Sequence, residues 1–236
     1  AGGAGTGAGG AGGGGGGAAA ADISVGVGIV LDGRYTIQKK LGQGGMGDVW
    51  QAHGSKLDRI IAIKTVRAPP GPKRDEAIAR QGREAKYGAM LSHPNVMAVL
   101  DSGEHGGVHY IVCERIEGAT LQRMIETKDF ELTVPANVIA IVTGLLRGLA
   151  AVHGAGFLHR DIKPENVMVA PDPQRLSGAL YKIKIIDFGI AHRIEAGGGG
   201  GGTFATAMGG VSGTPAYMGA LAKAGEKKVE VDLWAV

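Results

Sequence analysis

The sequence predicts an α+β protein of two unlike lobes, the first strand-rich with a single helix and the second mainly helical. Three observations carry this. From Tyr35 onward, short β-branched runs alternate with Gly-bearing turns; a charged, Ala-bearing stretch follows a proline-rich break; and the region around Leu145 repeats its apolar residues at helical spacing.

Taken in order, residues 35–41, 49–53 and 59–66 read as consecutive antiparallel strands. Ala68-Pro69-Pro70-Gly71-Pro72 then breaks the chain. Residues 75–91 read as a helix, closed by Ser92-His93-Pro94-Asn95, and residues 96–102 and 108–114 return to strand character. Between residues 137 and 153, Val138, Ile141, Val142, Leu145, Leu149 and Val152 recur every three or four positions, the mark of a helix with one apolar face.

Composition narrows the class. The chain has 236 residues and 44 glycines, but 12 of these lie in residues 1–21 and six form the run Gly197 to Gly202, so two low-complexity patches sit on an otherwise globular sequence. Collagen and extensive disorder are excluded. Residues 1–21 hold only Ala, Gly and one Thr, without the charged start or apolar centre of a targeting signal, and are expected to be linker. There is no initiating Met, which leaves a processed chain or a fragment open. The single Cys113 rules out an intramolecular disulfide framework. No apolar stretch is expected to approach the roughly 18 to 20 residues that a membrane helix needs. An intracellular, soluble, cytoplasmic setting follows as an expectation. The net charge of +3, from 25 basic and 22 acidic residues, gives no reason to expect nucleic acid as a partner.

The chemistry begins at Leu41-Gly42-Gln43-Gly44-Gly45-Met46-Gly47-Asp48-Val49, a G-x-G-x-x-G-x-V pattern. Glycines let backbone amides approach a phosphate where a Cβ would intrude. In a Gly-rich chain an ordinary turn explains such a pattern equally well. A dinucleotide-binding loop would open a helix at its last Gly, whereas strand pattern follows here, so the loop reads as a hairpin lid. Seventeen positions beyond Gly47, Lys64 sits in the apolar run Ala62-Ile63-Lys64. A lysine there is costly unless it meets an anion, and Glu84 in the following helix is the natural carboxylate. Taken singly, each of the two is more simply a solvated side chain.

The most specific segment is His159-Arg160-Asp161-Ile162-Lys163-Pro164-Glu165-Asn166, followed by Asp187-Phe188-Gly189. Phosphoryl transfer needs an acceptor for the attacking hydroxyl's proton, oxygen ligands for Mg2+ and a cation near the γ-phosphate. Asp161, Asn166 with Asp187, and Lys163 provide these in order.

With these motifs together, the chain resembles the eukaryotic-type serine/threonine protein kinases from about Tyr35 to Val236, and the wording Gly44-Gly45-Met46-Gly47 is most similar to their bacterial subgroup. The resemblance implies a domain over residues 34–236, with an N-lobe of about 34–114 and a C-lobe from about 118 that is incomplete at Val236. It implies ATP and Mg2+ as cofactors and a protein substrate with a Ser or Thr acceptor. By the same resemblance, Lys64 binds the α- and β-phosphates and pairs with Glu84, Asp161 is the base, and Asn166 and Asp187 hold the metal. Leu41 to Gly47 cover the phosphates, Val49 and Ala62 lie above the adenine and Met168 beneath it. The Glu114 carbonyl and Ile116 amide read the adenine edge, Glu117 reaches the ribose, and Cys113 falls at the gatekeeper position as a small buried hydrophobe. Thr214, in Gly213-Thr214-Pro215, steadies Asp161 and Lys163. His159 and Phe188 are packing residues.

Three departures set further expectations. Where the family places Ala-Pro-Glu this chain has Gly219-Ala220-Leu221, which keeps a pseudokinase or scaffold open as the alternative function. The chain stops just after Asp232, where the family's central C-lobe helix begins, so the face of Val138, Ile141, Leu145 and Leu149 is expected to be partly uncovered. Asn166 and Asp187 are 21 residues apart, with Pro171-Asp172-Pro173-Gln174 making an extended hairpin. Arg160 invites a phosphate on the segment after Asp187, at Thr206 rather than Thr203 or Ser212. Gly82 and Gly88 flank Glu84 in its helix, so the Lys64 to Glu84 pair is expected to be only partly formed, with a regulatory partner, self-association or activation-segment phosphorylation completing it.

Overall fold

The computed structural model describes residues 25–44, 47–56, 58–66, 71–173, 181–187, 192–193, 215–217, 219–220 and 228–236. Residues 1–24 and the stretch carrying Thr203, Thr206, Ser212 and Thr214, together with Leu221, lie outside them.

The first lobe is one antiparallel sheet of six strands: β1 (Val30–Leu31), β2 (Tyr35–Gly44), β3 (Gly47–Gly54), β4 (Arg59–Val66), β5 (Val99–His105) and β6 (Val108–Glu114), in the order β1-β2-β3-β4-β6-β5. Alternation along β3 and β4 sends Trp50, Ala52, Ile61 and Ile63 to one face, where they meet Leu31, Ile37, Tyr110 and Val112 in a buried cluster. The expected strands 59–66 and 108–114 form with those bounds.

Helix α1 (Pro72–Ala89) crosses to β5 and packs on β4, β5 and β6. It begins three residues earlier than expected, because Pro72 takes the first helical position, where its missing N–H costs nothing and its fixed φ suits the helix. Its buried residues are Ala77, Gln81, Glu84, Ala85 and Gly88, at helical spacing. A buried face carrying a Gln and a Glu requires polar partners, and the sheet supplies them.

The expected strand 96–102 instead starts at Val99 and runs to His105. Residues 96–98 are engaged elsewhere: the Met97 amide donates to the Ile185 carbonyl at 2.9 Å, and Val96 makes a parallel bridge with Ile185. This segment ties the first lobe to the second.

The second lobe opens with β7 (Ala119–Thr120) and α2 (Leu121–Glu126), whose first turn is capped by the Thr120 hydroxyl accepting from the Arg123 amide at 3.1 Å. Helix α3 (Pro135–Gly154) follows, then β8 (Phe157–Leu158), β9 (Val167–Pro171), β10 (Tyr181–Ile185), β11 (His192–Arg193) and a short α4 (Glu230–Leu233). Strands β10, β9 and β7 make a three-stranded sheet, and β11 pairs with β8. The β9/β10 hairpin pairs Pro171 with Tyr181, as the long spacing between Asn166 and Asp187 predicts.

Contrary to the expectation that no apolar stretch reaches membrane length, α3 is long and apolar enough to cross a membrane by length and composition. Its position in the fold explains the composition. One face buries Ile141, Leu145, Leu149 and Val152 against Phe157, Ile162, Val167, Ile183 and Ile185. Each such side chain contributes about 1.5–3 kcal/mol on burial. The expectation of an uncovered Ile141, Leu145 and Leu149 is corrected accordingly: the β9/β10 hairpin covers them, and Val138, Ile139, Val142 and Leu146 form the open side.

Candidate active site

The glycine pattern is the β2/β3 hairpin. Gly42 stands opposite Val49, Gln43 opposite Asp48 and Gly44 opposite Gly47, with register shifts between Ile37 and Lys39 and between Lys40 and Gly42. Gly45 and Met46 lie outside the described residues. The hairpin's base is set by charge: Lys40 Nζ is 2.6 Å from the buried Asp48 Oδ1 and 5.6 Å from the centroid of the Trp50 ring.

Lys64 lies on β4, between Val49 of β3 and Ile111 of β6. Its Nζ donates to Glu84 Oε2 at 2.7 Å and Oε1 at 3.0 Å, and lies 3.4 Å from Asp187 Oδ1. Burial works against the Lys64 ammonium, but the Glu84 and Asp187 carboxylates outweigh it and hold its pKa above the ordinary lysine value. Gln81, one turn before Glu84, donates to the Lys64 carbonyl at 2.9 Å, so α1 grips this residue by both main chain and side chain.

These contacts correct the expectation of a half-formed Lys64 to Glu84 pair: within this chain the pair is closed and Glu84 is buried. The difference arises at Gly88. An added Cβ there would meet Val99 Cγ2 at 2.3 Å, so Gly88 leaves no gap; it is a close contact of α1 with β5. A Cβ on Gly82 would meet nothing within 4 Å.

The second group of side chains sits on the loop after β8. Asp161 is buried, its Oδ2 lies 3.0 Å from Lys163 Nζ, and Asn166 Nδ2 donates to the Asp161 carbonyl at 2.8 Å and to Oδ2 at 3.1 Å. With its amide nitrogen so committed, Asn166 keeps its amide oxygen as an acceptor. Asp187 follows β10 and is held nearby through the Ile186 amide, which donates to the Asn166 carbonyl at 2.9 Å. Arg80 of α1 approaches Asp187 Oδ1 at 3.9 Å.

The loop is anchored by a residue whose role the sequence did not reveal. Asp232 on α4 is buried, and its carboxylate accepts from the His159 amide at 2.8 Å and the Arg160 amide at 2.6 Å while Oδ2 meets His153 Nε2 at 2.8 Å. Burial raises its pKa, but the His153 bond and the two amides outweigh this and hold it below the ordinary aspartate value. The available signal was a lone acid in the otherwise apolar Val231-Asp232-Leu233-Trp234. His159 is fully buried, as expected of a packing residue. Burial pulls the Arg160 pKa down, and its buried Nε has no partner among the described residues, a setting that favours an anion.

Of the residues expected around adenine, Val49, Ala62, Glu114, Ile116 and Met168 are half-buried and Glu117 is exposed. Ala62 stands opposite Cys113 across β4/β6. Burial pushes the Cys113 thiol up to about 12, which makes it an inert wall residue. Thr214 and Phe188 lie outside the described residues.

The donor set fits magnesium. Asn166 and Asp187 offer hard oxygen ligands, and no cluster of three or more His, Cys, Asp or Glu among the described residues is placed to hold an ion unaided. Mg2+ is commonly held by one or two protein oxygens with the remainder from phosphates and water.

A strand-rich lobe with one helix, a lysine clamped by that helix, and an aspartate loop beside it make up a two-lobed α+β fold with a charged cleft. Compared with known proteins, residues 35–236 match the family model described as protein kinase domain, and the chain belongs to this family. It is 37% identical over 193 residues to a probable serine/threonine-protein kinase of Streptomyces coelicolor, covering 80% of this chain and 26% of that protein. Over 186 residues it is 36% identical to the serine/threonine-protein kinase pkn3 of Myxococcus xanthus, covering 78% of this chain and 32% of the relative. A probable serine/threonine-protein kinase, PknB, of Lactococcus lactis is 40% identical over 163 residues, 69% of this chain and 24% of the relative. The chain thus spans about a quarter to a third of the length of these relatives.

Proposed function

We propose that this chain catalyses ATP-dependent phosphorylation of Ser or Thr hydroxyls on protein substrates, as the names of its relatives suggest. The observation that carries the reading is Lys64 Nζ held between Glu84 and Asp187, at 2.7 and 3.4 Å, opposite the Asp161, Lys163 and Asn166 cluster.

In this reading the β2/β3 hairpin lies over the phosphates, Lys64 neutralises the α- and β-phosphates, and Glu84 keeps its ammonium aimed into the cleft. Asp161 accepts the proton of the substrate hydroxyl as its oxygen bonds to the γ-phosphorus and the bond to the β,γ-bridging oxygen breaks, releasing ADP. Lys163, 3.0 Å from Asp161, offers positive charge to the transferring group. Asn166 and Asp187 would hold Mg2+, which when bound neutralises charge on the phosphate oxygens. Val49, Ala62 and Met168 enclose the adenine, the Glu114 carbonyl and Ile116 amide read its edge, and Glu117 meets the ribose. Thr214 steadies Asp161.

The test is γ-phosphate transfer to Ser, Thr and Tyr peptides by the full-length protein. Asp161→Asn and Lys64→Met are each expected to lower the rate by about two to four orders of magnitude with the thermal midpoint little changed. Wild-type turnover in Asp161→Asn, or transfer confined to Tyr peptides, overturns the assignment.

A further inference from the structure

Where the two lobes meet behind the adenine site, an ion pair joins them that the phosphotransfer chemistry does not use. Lys184 Nζ, on β10, lies 2.7 Å from Glu114 Oε1 and 3.3 Å from the Val96 carbonyl. The same Oε1 accepts from the Ala98 amide at 2.7 Å, and the Glu114 amide donates to the Ala98 carbonyl at 3.0 Å. One carboxylate oxygen therefore takes a short bond from each lobe. The side chains are 17% and 28% exposed, too enclosed for a freely solvated surface pair.

The location gives the pair its meaning. Lys184 stands opposite Met168 in the β9/β10 register, and Glu114 ends β6. The lysine thus shares a strand pairing with the expected floor of the adenine site and bonds the side chain of the residue whose carbonyl is expected to read the adenine edge. With its amide tied to Ala98 and its carboxylate tied to Lys184, the Glu114 residue has little freedom to turn its own carbonyl. Without Lys184 the carboxylate loses its countercharge in a half-buried site and is drawn toward water.

We propose that Lys184 is a positioning residue for nucleotide recognition, acting through Glu114 to set the direction of the Glu114 carbonyl and its spacing from Met168. The inference rests on the reading of residues 114–116 as the adenine edge. It is tested in the full-length protein by the KM and kcat for ATP together with calorimetric binding of ATP. Lys184→Met is expected to raise both KM and Kd about five- to tenfold while kcat stays within about twofold, and Lys184→Arg to remain near wild type. Should Lys184→Met fold poorly, Glu114→Gln breaks the same pair from the other side with Lys184 intact, and the same rise is expected. Unchanged KM and Kd with only a lowered thermal midpoint make the pair purely structural and overturn the proposal. A raised kcat at constant KM overturns it also. A wild-type protein that does not bind ATP overturns the adenine reading itself, and the unmutated control separates that failure from the others.

Discussion

Two glycines of the same helix, six residues apart, should respond to alanine in opposite directions. At Gly82 an added Cβ meets nothing within 4 Å, so Gly82→Ala collects the helix-propensity gain of about 1 kcal/mol. At Gly88 the Cβ would stand 2.3 Å from Val99 Cγ2 and 3.3 Å from Val99 Cβ. Carbon contacts rest near about 3.5–4.0 Å, so roughly 1.2 Å of room must be found. Val99 is branched at Cβ and stiff about χ1, and it is held in β5 opposite Cys113. Helix α1 must therefore yield. Overpacking costs about 1–3 kcal/mol against the same ~1 kcal/mol of propensity, leaving a net loss of about 1 kcal/mol. In a chain of this size that is roughly a 2–4 °C fall in Tm for Gly88→Ala and a rise of similar size for Gly82→Ala. Since Glu84 lies one turn from Gly88, the displaced helix also lengthens the 2.7 Å contact with Lys64, and kinase rate falls with Tm. Calorimetric melts and initial rates on the two variants decide the matter, with Gly88→Ala/Val99→Ala restoring the room and recovering part of the loss. If Gly88→Ala raises Tm as much as Gly82→Ala, or raises the basal rate, the close approach of α1 to β5 is wrong.

Two further outcomes follow from buried titratable groups. Asp232 has a folded pKa below its ordinary 3.8, so the stability it confers is complete above that value and is lost as pH falls through the folded one. Asp232→Asn is expected to cost about 3 kcal/mol at neutral pH, and the fall in Tm below pH 4 should be shallower than in wild type; equal acid slopes would refute the assignment. Cys113, with its thiol pushed up to about 12 by burial, should stay unlabelled by iodoacetamide at pH 8 in the native protein and react fully in urea, as read by mass spectrometry.

The residues of the cleft were legible in the sequence because phosphate chemistry demands particular atoms at particular spacings. Lys64, Glu84, Asp161, Lys163, Asn166 and Asp187 are brought together by the fold. The strands were legible from alternation, and β4 and β6 have the expected bounds. What was hidden depends on pairings between distant positions. Whether Gly88 is a gap or a fitted contact depends on Val99, which lies across a turn and a short crossing segment. The late start of β5 depends on Ile185 claiming the Met97 amide. Lys184 and Glu114 are seventy residues apart, and neither lies in a pattern that announces an ion pair. Pro72 was misleading for a different reason, since a proline breaks a helix interior yet opens a helix well, and position alone distinguishes the two.

The dependence on distant partners is most direct in the backbone of the cleft itself. Arg160 and Asp187 hold φ of 66° and 65°, in the left-handed region that a side chain enters at a cost of order 1 kcal/mol or more. Arg160 directly precedes Asp161, and Asp187 is itself one of the cleft residues, so relaxation of either turn would swing a cleft carboxylate away. The contacts that oppose relaxation are specific. Asp232 accepts from both the His159 and Arg160 amides, which fixes the two peptides leading into the Arg160 turn. The Ile186 amide donates to the Asn166 carbonyl and the Ile186 carbonyl meets His159 Nε2 at 3.1 Å, which fixes the chain entering Asp187. His159 thus bonds on one side to the Asp232 anchor and on the other to the strand leading into Asp187, and it is fully buried between them. Burial holds its imidazole pKa below the ordinary value, so the ring stays neutral and keeps one nitrogen to donate to Ile186 and the other to accept from the Asp161 amide at 3.3 Å. A single neutral histidine therefore couples the two strained turns, and the alignment of Asp161 with Asp187 is a property of this buried network as much as of the residues that line the cleft.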